Sequence, residues 1–234
     1  NEIAANYQYK NIDSLKFYSE KAISLSNKYQ YLDGQGNAIL NLSKYLFYNG
    51  HNEKGLKQLN TALEIAKQNE NIPLQIEVLN LLGIQQMDFG NHAEALKAYL
   101  KAIDLATSIN DIKSISNLQE NVAIIYLSQK DYQQTLNIYK EVEQLNKQTN
   151  VPLRTAQTKC NITDVYIKLN DLNNASKYIE GTTEIFKKYE SYEWLAYSYH
   201  LKGDICLKQD NLKLALYWYD KAMALHENLS DDRY

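Results

Sequence analysis

The chain has little of three features that mark specialised classes of protein: cysteine, an excess of one charge, and long apolar runs. Its two cysteines, Cys160 and Cys206, are too few for a disulfide scaffold, and we interpret both as small residues of a core or groove wall. The 25 basic and 28 acidic side chains are mixed, so no basic stripe could neutralise a nucleic-acid backbone. No apolar stretch reaches the roughly 20 residues of a transmembrane helix. The sequence therefore predicts contact with neither nucleic acid nor membrane.

Motifs for catalysis are missing from the sequence too. The four histidines are scattered, and neither a Gly-rich phosphate loop nor an HExxH pair occurs. We therefore predict that the protein is not an enzyme and needs no cofactor. The chain starts at Asn1 rather than Met and stops one residue short of the next repeat defined below, so we expect it to be a fragment of a longer protein.

What the sequence has in abundance is internal repetition. Residues 79–106 carry two apolar stripes at helical spacing, joined at Gly90-Asn91, which predicts a helix, a tight turn and a second helix. The same pattern recurs at a constant 40-residue period without gaps. We divide a single domain, 1–234, into a partial repeat 1–35 and the repeats 36–75, 76–115, 116–155, 156–195 and 196–234.

Small residues recur at fixed places of each repeat, where short side chains let helices approach closely. The eighth place holds Ser43, Gly83, Ala123, Thr163 and Gly203. The twentieth place holds Gly55, Ala95, Thr135, Ala175 and Ala215, and the twenty-seventh holds Ala62, Ala102, Val142, Thr182 and Ala222.

Turn residues and the two prolines set the expected helix boundaries. Gly, Asn and Asp between the helices tolerate left-handed backbone, and Pro73 and Pro152 suit a first helical turn. We predict no strand and place helices near 12–29, 36–49, 53–68, 73–89, 93–108, 113–129, 133–149, 153–169, 173–188, 192–209 and 213–228.

These small residues, together with an aromatic residue near the twenty-fourth place (Tyr99, Tyr139, Tyr219), resemble the tetratricopeptide repeat, although the repeat of that family is usually shorter. The resemblance covers essentially the whole chain. It implies an all-α fold, a right-handed α-solenoid of helix-turn-helix repeats whose first helices line a concave groove. Three residues depart from the family pattern, because polar side chains replace apolar ones: Gln119 and Lys159 at the fourth place and Lys202 at the seventh.

The 40-residue period and phrases such as residues 13–29, DSLKFYSEKAISLSNKY, are similar to sensor regions of Bacteroidetes-type histidine kinases or helix-turn-helix regulators. That resemblance implies a bacterial signalling protein, such as a two-component system, whose output lies outside this chain. It favours the periplasm or cell envelope, as part of a membrane-anchored protein, with the cytoplasm as the alternative.

The resemblance also predicts which residues face the groove. An Asn amide can pair with both polar groups of a peptide unit, and the sixth place holds Asn in three of five repeats. Solvated Asn on a helix is the alternative interpretation. We expect a peptide or protein segment in the groove, contacted by Asn41, Lys44, Asn80, Asn121, Asn161, Asp164, Tyr197, His200 and Asp204.

Two other functions stay open at this stage. The last helix, Leu212 to Leu229, has no capping helix after it and could pair with a second copy, making the C-terminal repeat an assembly element. The set Cys160, Asp164, His200 and Asp204 could suggest a metal or enzymatic site. However, helices pack about 8–10 Å apart whereas zinc ligands converge within about 2.3 Å of one ion, so we rank this interpretation third.

Overall fold

The computed structural model describes residues 12–231 and contains twelve α-helices and no strand within that range. The helices in chain order are α1 (Ile12–Lys28), α2 (Leu32–Tyr48), α3 (Asn52–Gln68), α4 (Ile72–Asp88), α5 (His92–Ser108), α6 (Ile112–Ser128), α7 (Tyr132–Gln148), α8 (Pro152–Lys168), α9 (Leu172–Ile179), α10 (Thr182–Lys188), α11 (Tyr192–Lys208) and α12 (Leu212–Asp231). The all-α prediction is confirmed.

The backbone repeats at half the period of the side-chain pattern. From α2 onward the helix starts are evenly spaced, as at Leu32, Asn52 and Ile72, except at the break described below, and most helices have the same length. Three-residue links join them, and the middle residue of each of these links has positive φ, as at Gly50 (+73°) and Glu70 (+50°). Links within a repeat and links between repeats therefore have the same geometry.

Each of these links ends its helix with a Schellman motif, which satisfies the last carbonyl groups. In one such link, the Gly50 amide donates to the Phe47 carbonyl at 3.0 Å and the His51 amide to the Leu46 carbonyl at 2.8 Å. A later link, 189–191, makes the same two bonds to the last turn of α10, at 3.2 and 2.9 Å. Because the links are so short, consecutive helices must run antiparallel.

Most predicted boundaries lie within one residue of the structure, and the last helix ends three residues later than predicted, at Asp231. Two predicted helices differ more. The predicted helix 36–49 starts four residues earlier, at Leu32, because the helix continues through Gly34 and Gly36. The predicted helix 173–188 is broken: Glu180 is extended and Gly181 has φ +75°, so α9 ends at Ile179 and α10 starts at Thr182.

The chain forms two compact units, 1–118 and 119–234. In the first unit, α2 packs on α1, α3 and α4, and α4 packs on α3 and α5. Its core is a continuous apolar cluster that includes Leu40, Leu59, Ala62 and Val78, all essentially inaccessible to solvent. The partition into one solenoid with the repeat boundaries given above stays a prediction.

The second unit follows the same plan. There, α8 contacts α7, α9, α10 and α11, and α11 packs on α12. Large apolar side chains such as Phe186, Ile162 and Leu201 are fully buried between these helices. In both units the first helices of neighbouring repeats touch, α2 with α4 and α8 with α11, so each unit presents a face made by first helices.

The predicted small residues lie where helices meet. All five residues at the eighth place are buried, and a Cβ added at Gly83 would overlap the ring of Tyr99. A Cβ added at Gly203 would likewise overlap the ring of Tyr219. The thirtieth place is apolar in every repeat but is buried only at Ile65; it is half-buried at Leu105, Leu145, Ile185 and Leu225.

The contact between Gly83 and Tyr99 predicts a measurable coupling. The corresponding places of the preceding repeat hold Ser43 and Leu59, a larger residue facing a smaller one. We expect Gly83→Ser to lower the free energy of unfolding by about 1–3 kcal/mol, because the Tyr99 ring must move. In the double variant with Tyr99→Leu, the loss should be at least about 1 kcal/mol smaller than the sum of the single losses. Urea denaturation measures all three variants, and strictly additive losses would contradict the contact.

The link geometry predicts that one glycine substitution stabilises the protein. Glu190 has φ +52°, which strains a residue with a Cβ, whereas Gln209 occupies the preceding position of its own link with φ −92°. Glu190→Gly should raise the free energy of unfolding by about 0.5–1 kcal/mol, and Gln209→Gly should lower it. Thermal and urea unfolding of the two exposed-site variants test this, and shifts of the same sign would argue against the strain.

Candidate functional site

The nine predicted binding residues lie on first helices, three in the first unit and six in the second. In the first unit, Asn41 is buried, with 6% of its surface exposed, so little of its amide is accessible. Lys44 and Asn80 are half-buried. Lys44 pairs with Glu77 on α4 at 2.9 Å, a contact that links two neighbouring first helices.

Lys44 belongs to a cleft between α2 and α4 that we call the aromatic cleft. Its volume is about 500 Å³. Apolar and aromatic side chains supply much of its wall, and Tyr48 is 75% exposed there. Lys44 and Asp88 place a cation and an anion at the same opening. The aromatic cleft is lined by Lys44, Phe47, Tyr48, Asn52, Leu81, Gln85, Asp88 and Phe89.

Asn80 lies in a second, more polar cleft of the first unit, with Glu77, Lys113 and Asn117. Its volume is about 520 Å³. Asp111 lines the same cleft and caps α6, accepting hydrogen bonds from the backbone amide and the hydroxyl of Ser114 at 3.0 and 2.5 Å. These bonds lower the pKa of Asp111, because they favour its charged form.

In the second unit, carboxylates and tyrosines share one region that we call the polar wall, defined by Tyr139, Asn161, Asp164, Tyr197, Asp204 and Tyr219. Burial raises the pKa of Tyr197, and the negative charges of Asp164 and Asp204 raise it further. The neutral hydroxyl of Tyr197 therefore lies within electrostatic range of two carboxylates that come from different first helices.

Both carboxylates of the polar wall already have partners. The Tyr219 hydroxyl donates to Asp204 Oδ1 at 2.7 Å, and burial together with this bond raises the pKa of Tyr219 to about 12. His200 Nε2 lies 3.6 Å from the other Asp204 oxygen, and Lys168 pairs with Asp164. Each carboxylate thus already has a partner that a ligand could share or displace.

Asn121 and Asn161 are half-buried, and Tyr197 is half-buried with Trp194 packed against its ring edge at 5.7 Å between centroids. His200 is exposed. The structure therefore brings Asp164, Tyr197 and Asp204 together, with His200 beside them. That the nine residues contact a bound peptide or protein segment stays a prediction.

The metal interpretation gains no support from the side-chain positions. Cys160 is fully buried, its thiol contacts Thr182, and burial raises the pKa of that thiol to about 12. Such a thiol is a poor metal ligand, because metals bind the thiolate. Among the described residues, no group of three or more His, Cys, Asp or Glu side chains is placed to hold a metal ion.

Glu120, at the fifth place of its repeat, anchors α6 to α8. Arg154 Nη2 contacts Glu120 Oε2 at 2.9 Å, and the Thr158 hydroxyl lies 3.3 Å from the other oxygen. Burial raises the pKa of Glu120, and the Arg154 charge offsets only part of that effect. The carboxylate therefore depends on Arg154 to remain ionised in this environment.

Removing Arg154 should therefore destabilise the protein in a pH-dependent way. At pH 7 we expect Arg154→Leu to lower the free energy of unfolding by about 1–3 kcal/mol, because it leaves a mostly buried carboxylate unpaired. As the pH falls through the raised pKa of Glu120, the carboxyl becomes neutral and the difference from the parent protein should shrink. Urea denaturation across this pH range measures both.

The matched control for this test is Lys97→Leu, which breaks an exposed pair with Glu94 at 3.7 Å. That variant should differ little from the parent at any pH, since exposed ion pairs contribute little to stability. A cost of Arg154→Leu that stays constant from neutral to acid pH would contradict the role given to Glu120.

The aromatic cleft was missed by the sequence reasoning, although the signal was available. Phe47 and Tyr48 lie on α2, one of the first helices that the resemblance places along the groove. They were not predicted as binding residues, because only polar side chains were considered for contact with a peptide backbone.

Within residues 12–231, no helix combines the length and apolarity that crossing a membrane requires.

Comparison with known proteins supports the repeat assignment. Residues 74–148 match the family model described as tetratricopeptide repeat. No curated protein matches the chain by sequence. BtubC from P. vanneervenii has a similar structure, with a TM-score of 0.82 and 14% identity over 94% of this chain and 93% of that one.

Two further solved structures are similar over almost the whole chain. One is a signal transduction ATPase with numerous domains, with a tetratricopeptide repeat sensor, from Pyrococcus horikoshii; it has a TM-score of 0.83 and 18% identity over 97% of this chain and 35% of that one. The other is a Rap protein complexed with Competence and Sporulation Factor, with a TM-score of 0.68 and 17% identity over 97% of this chain and 63% of that one. This chain thus spans about a third of the ATPase. At these identities the likeness shows the fold alone.

Proposed function

We propose that this chain, which is built of tetratricopeptide repeats, is a non-catalytic scaffold that binds a peptide or protein segment on the faces formed by its first helices. The observation that carries the proposal is that first helices in contact border an open cleft in the first unit and form the polar wall in the second. The aromatic cleft is bordered by α2 and α4, and the polar wall joins residues of α8 and α11.

The two regions suit different kinds of bound segment. The aromatic cleft has the size and lining of a pocket for an apolar side chain, because Phe47, Leu81 and Phe89 can cover it while Lys44 and Asp88 orient polar groups. In the polar wall, Asp164, Asp204 and the Asn161 amide can accept hydrogen bonds from peptide amides or from a basic side chain. We therefore favour a segment with apolar residues for the aromatic cleft and a segment with basic residues for the polar wall.

We further propose that the scaffold is the sensory or interaction region of a larger bacterial signalling protein. The repeat sensor named in the Pyrococcus ATPase and the Rap protein solved with Competence and Sporulation Factor support this hypothesis. The coding sequence around this chain provides the test. A signal peptide upstream, and a membrane segment with a kinase or regulator domain downstream, would support it, whereas an isolated repeat chain would favour an adaptor.

Peptide recognition can be tested with a random dodecapeptide library displayed on phage and selected on the immobilised chain. Enriched peptides are synthesised with a fluorophore, and their affinities are measured by fluorescence anisotropy. We expect Asn121→Ala combined with Asn161→Ala to weaken binding at least about tenfold, because two amide contacts to the peptide backbone are lost. Circular dichroism should show unchanged helicity.

The control variant carries Asn60→Ala and Asn173→Ala, two exposed asparagines on the second helices α3 and α9. Its affinity should equal that of the parent chain. Unchanged affinity in the Asn121/Asn161 variant, or an equal loss in the control, would count against recognition by the first helices.

Assembly through α12 is the second candidate function, and one observation favours it. Leu212, Leu216 and Met223 are spaced by four and seven positions, so they share one helical stripe, and they are 66%, 61% and 57% exposed. Such a stripe could bury itself against the same stripe of a second copy.

Sedimentation velocity over a range of protein concentrations tests this second candidate. We expect a monomer–dimer equilibrium that Leu216→Glu abolishes, because the charge would be buried in the interface. Leu100→Glu, at a half-exposed leucine of α5, is the control and should leave the equilibrium unchanged. A monomer at every concentration would exclude assembly through α12.

A further inference from the structure

A cavity lies beside the break between α9 and α10. All other described links lie between whole helices, whereas Glu180 and Gly181 interrupt a segment in its middle. The cavity has a volume of about 390 Å³ and lies between the end of α7, the start of α8 and the break itself. A Cβ added at Gly181 would meet no atom within 4 Å, so the backbone there borders open space.

Polar side chains replace core residues around this cavity. Lys159 occupies the fourth place, where three of the other repeats bury Ile39, Leu79 and Tyr199. Asn146 stands one place after Leu145, where the two preceding repeats bury Ala66 and Ala106. Lys159 and Asn146 together therefore give this repeat a polar lining where several other repeats bury apolar side chains.

Buried hydrogen-bonding groups form the cavity wall. Asn146 is 3% exposed, and its amide donates to the Thr158 hydroxyl at 3.0 Å. The fully buried Thr182 hydroxyl donates to the Ile179 carbonyl at 2.8 Å, which leaves its oxygen able to accept. Val151, Pro152 and Ile185 supply an apolar patch beside these groups.

The charges at the cavity define the chemistry of a ligand. Lys147 lines the cavity but already pairs with Glu143 at 2.8 Å. Lys159 is half-buried, and no carboxylate in the described part of the chain lies within ion-pair distance of its ammonium group. Glu180 places a carboxylate at the same cavity. Lys159 and Glu180 therefore contribute one cation and one anion to the lining of one small, partly open cavity.

We propose that this cavity binds a free α-amino acid. Lys159 pairs with the ligand carboxylate, Glu180 pairs with its ammonium group, and the apolar patch receives its side chain. A volume of about 390 Å³ is at the small end of ligand pockets and fits a molecule of this size better than a peptide. None of these residues belongs to the aromatic cleft or the polar wall, so the site is separate from the proposed peptide-binding faces.

Isothermal titration calorimetry of the whole chain with each of the twenty amino acids tests the proposal. At least one amino acid should bind, and Lys159→Leu, which restores the leucine present at Leu79, should weaken that binding at least tenfold. Lys177→Leu, at an exposed lysine of α9 outside the cavity, is the control and should bind as the parent does.

The assignment of the two charges is tested with ligand analogues. The carboxylic acid that lacks the amino group, and the amine that lacks the carboxylate, should each bind at least tenfold more weakly than the amino acid. Glu180→Gln should weaken binding of the amino acid but not of the carboxylic acid. Equal binding of the amino acid and its deaminated acid would overturn the proposal, as would an absence of binding by all twenty. These results are independent of the peptide measurements, because they involve different residues.

Discussion

Close contact between neighbouring helices at small residues is the constraint on which the rest of this structure depends. A single amphipathic helix of the length seen here cannot bury its apolar side alone, so each helix relies on the next. Gly83 beneath the Tyr99 ring and Gly203 beneath the Tyr219 ring show how near two helices come. The short distance between the helices determines which side chains of the first helices are buried and which stay exposed.

The repeat was predictable from sequence because its side chains keep one constant period even where their identities change. Most of the predicted helix starts already show the shorter period of the backbone, with Leu32 as the exception. What was not predictable is the left-handed conformation of ordinary link residues such as Gln30, Glu70 and Glu190. The tertiary contacts of the flanking helices hold those residues in a conformation that their own preferences disfavour. Composition therefore predicted only the turns that contain Gly, Asn or Asp.

The helix break and the clefts could not be predicted from the sequence, for a different reason. Gly181 within a helical pattern costs only about 1 kcal/mol, and Thr182 and Ile185 continue the apolar spacing, so a continuous helix was the natural prediction. The polar departures Lys159 and Lys202 were visible, yet only the structure shows that they flank this break: Lys159 lines the cavity, and Lys202 Nζ lies 3.3 Å from the Thr183 hydroxyl. The connection between the helix break and these two lysines is therefore visible only in the structure.

The central claim is that partners are recognised by the first helices. Backbone amide chemical-shift mapping of the ¹⁵N-labelled chain, titrated with a peptide selected on it, tests this claim most directly. The account predicts that the largest shift changes fall on first helices: on α2 and α4, Lys44 included, for a peptide bound in the aromatic cleft, or on α8 and α11, Asp164 and Asp204 included, for one bound at the polar wall. Shift changes confined to the second helices or to α12 would contradict it.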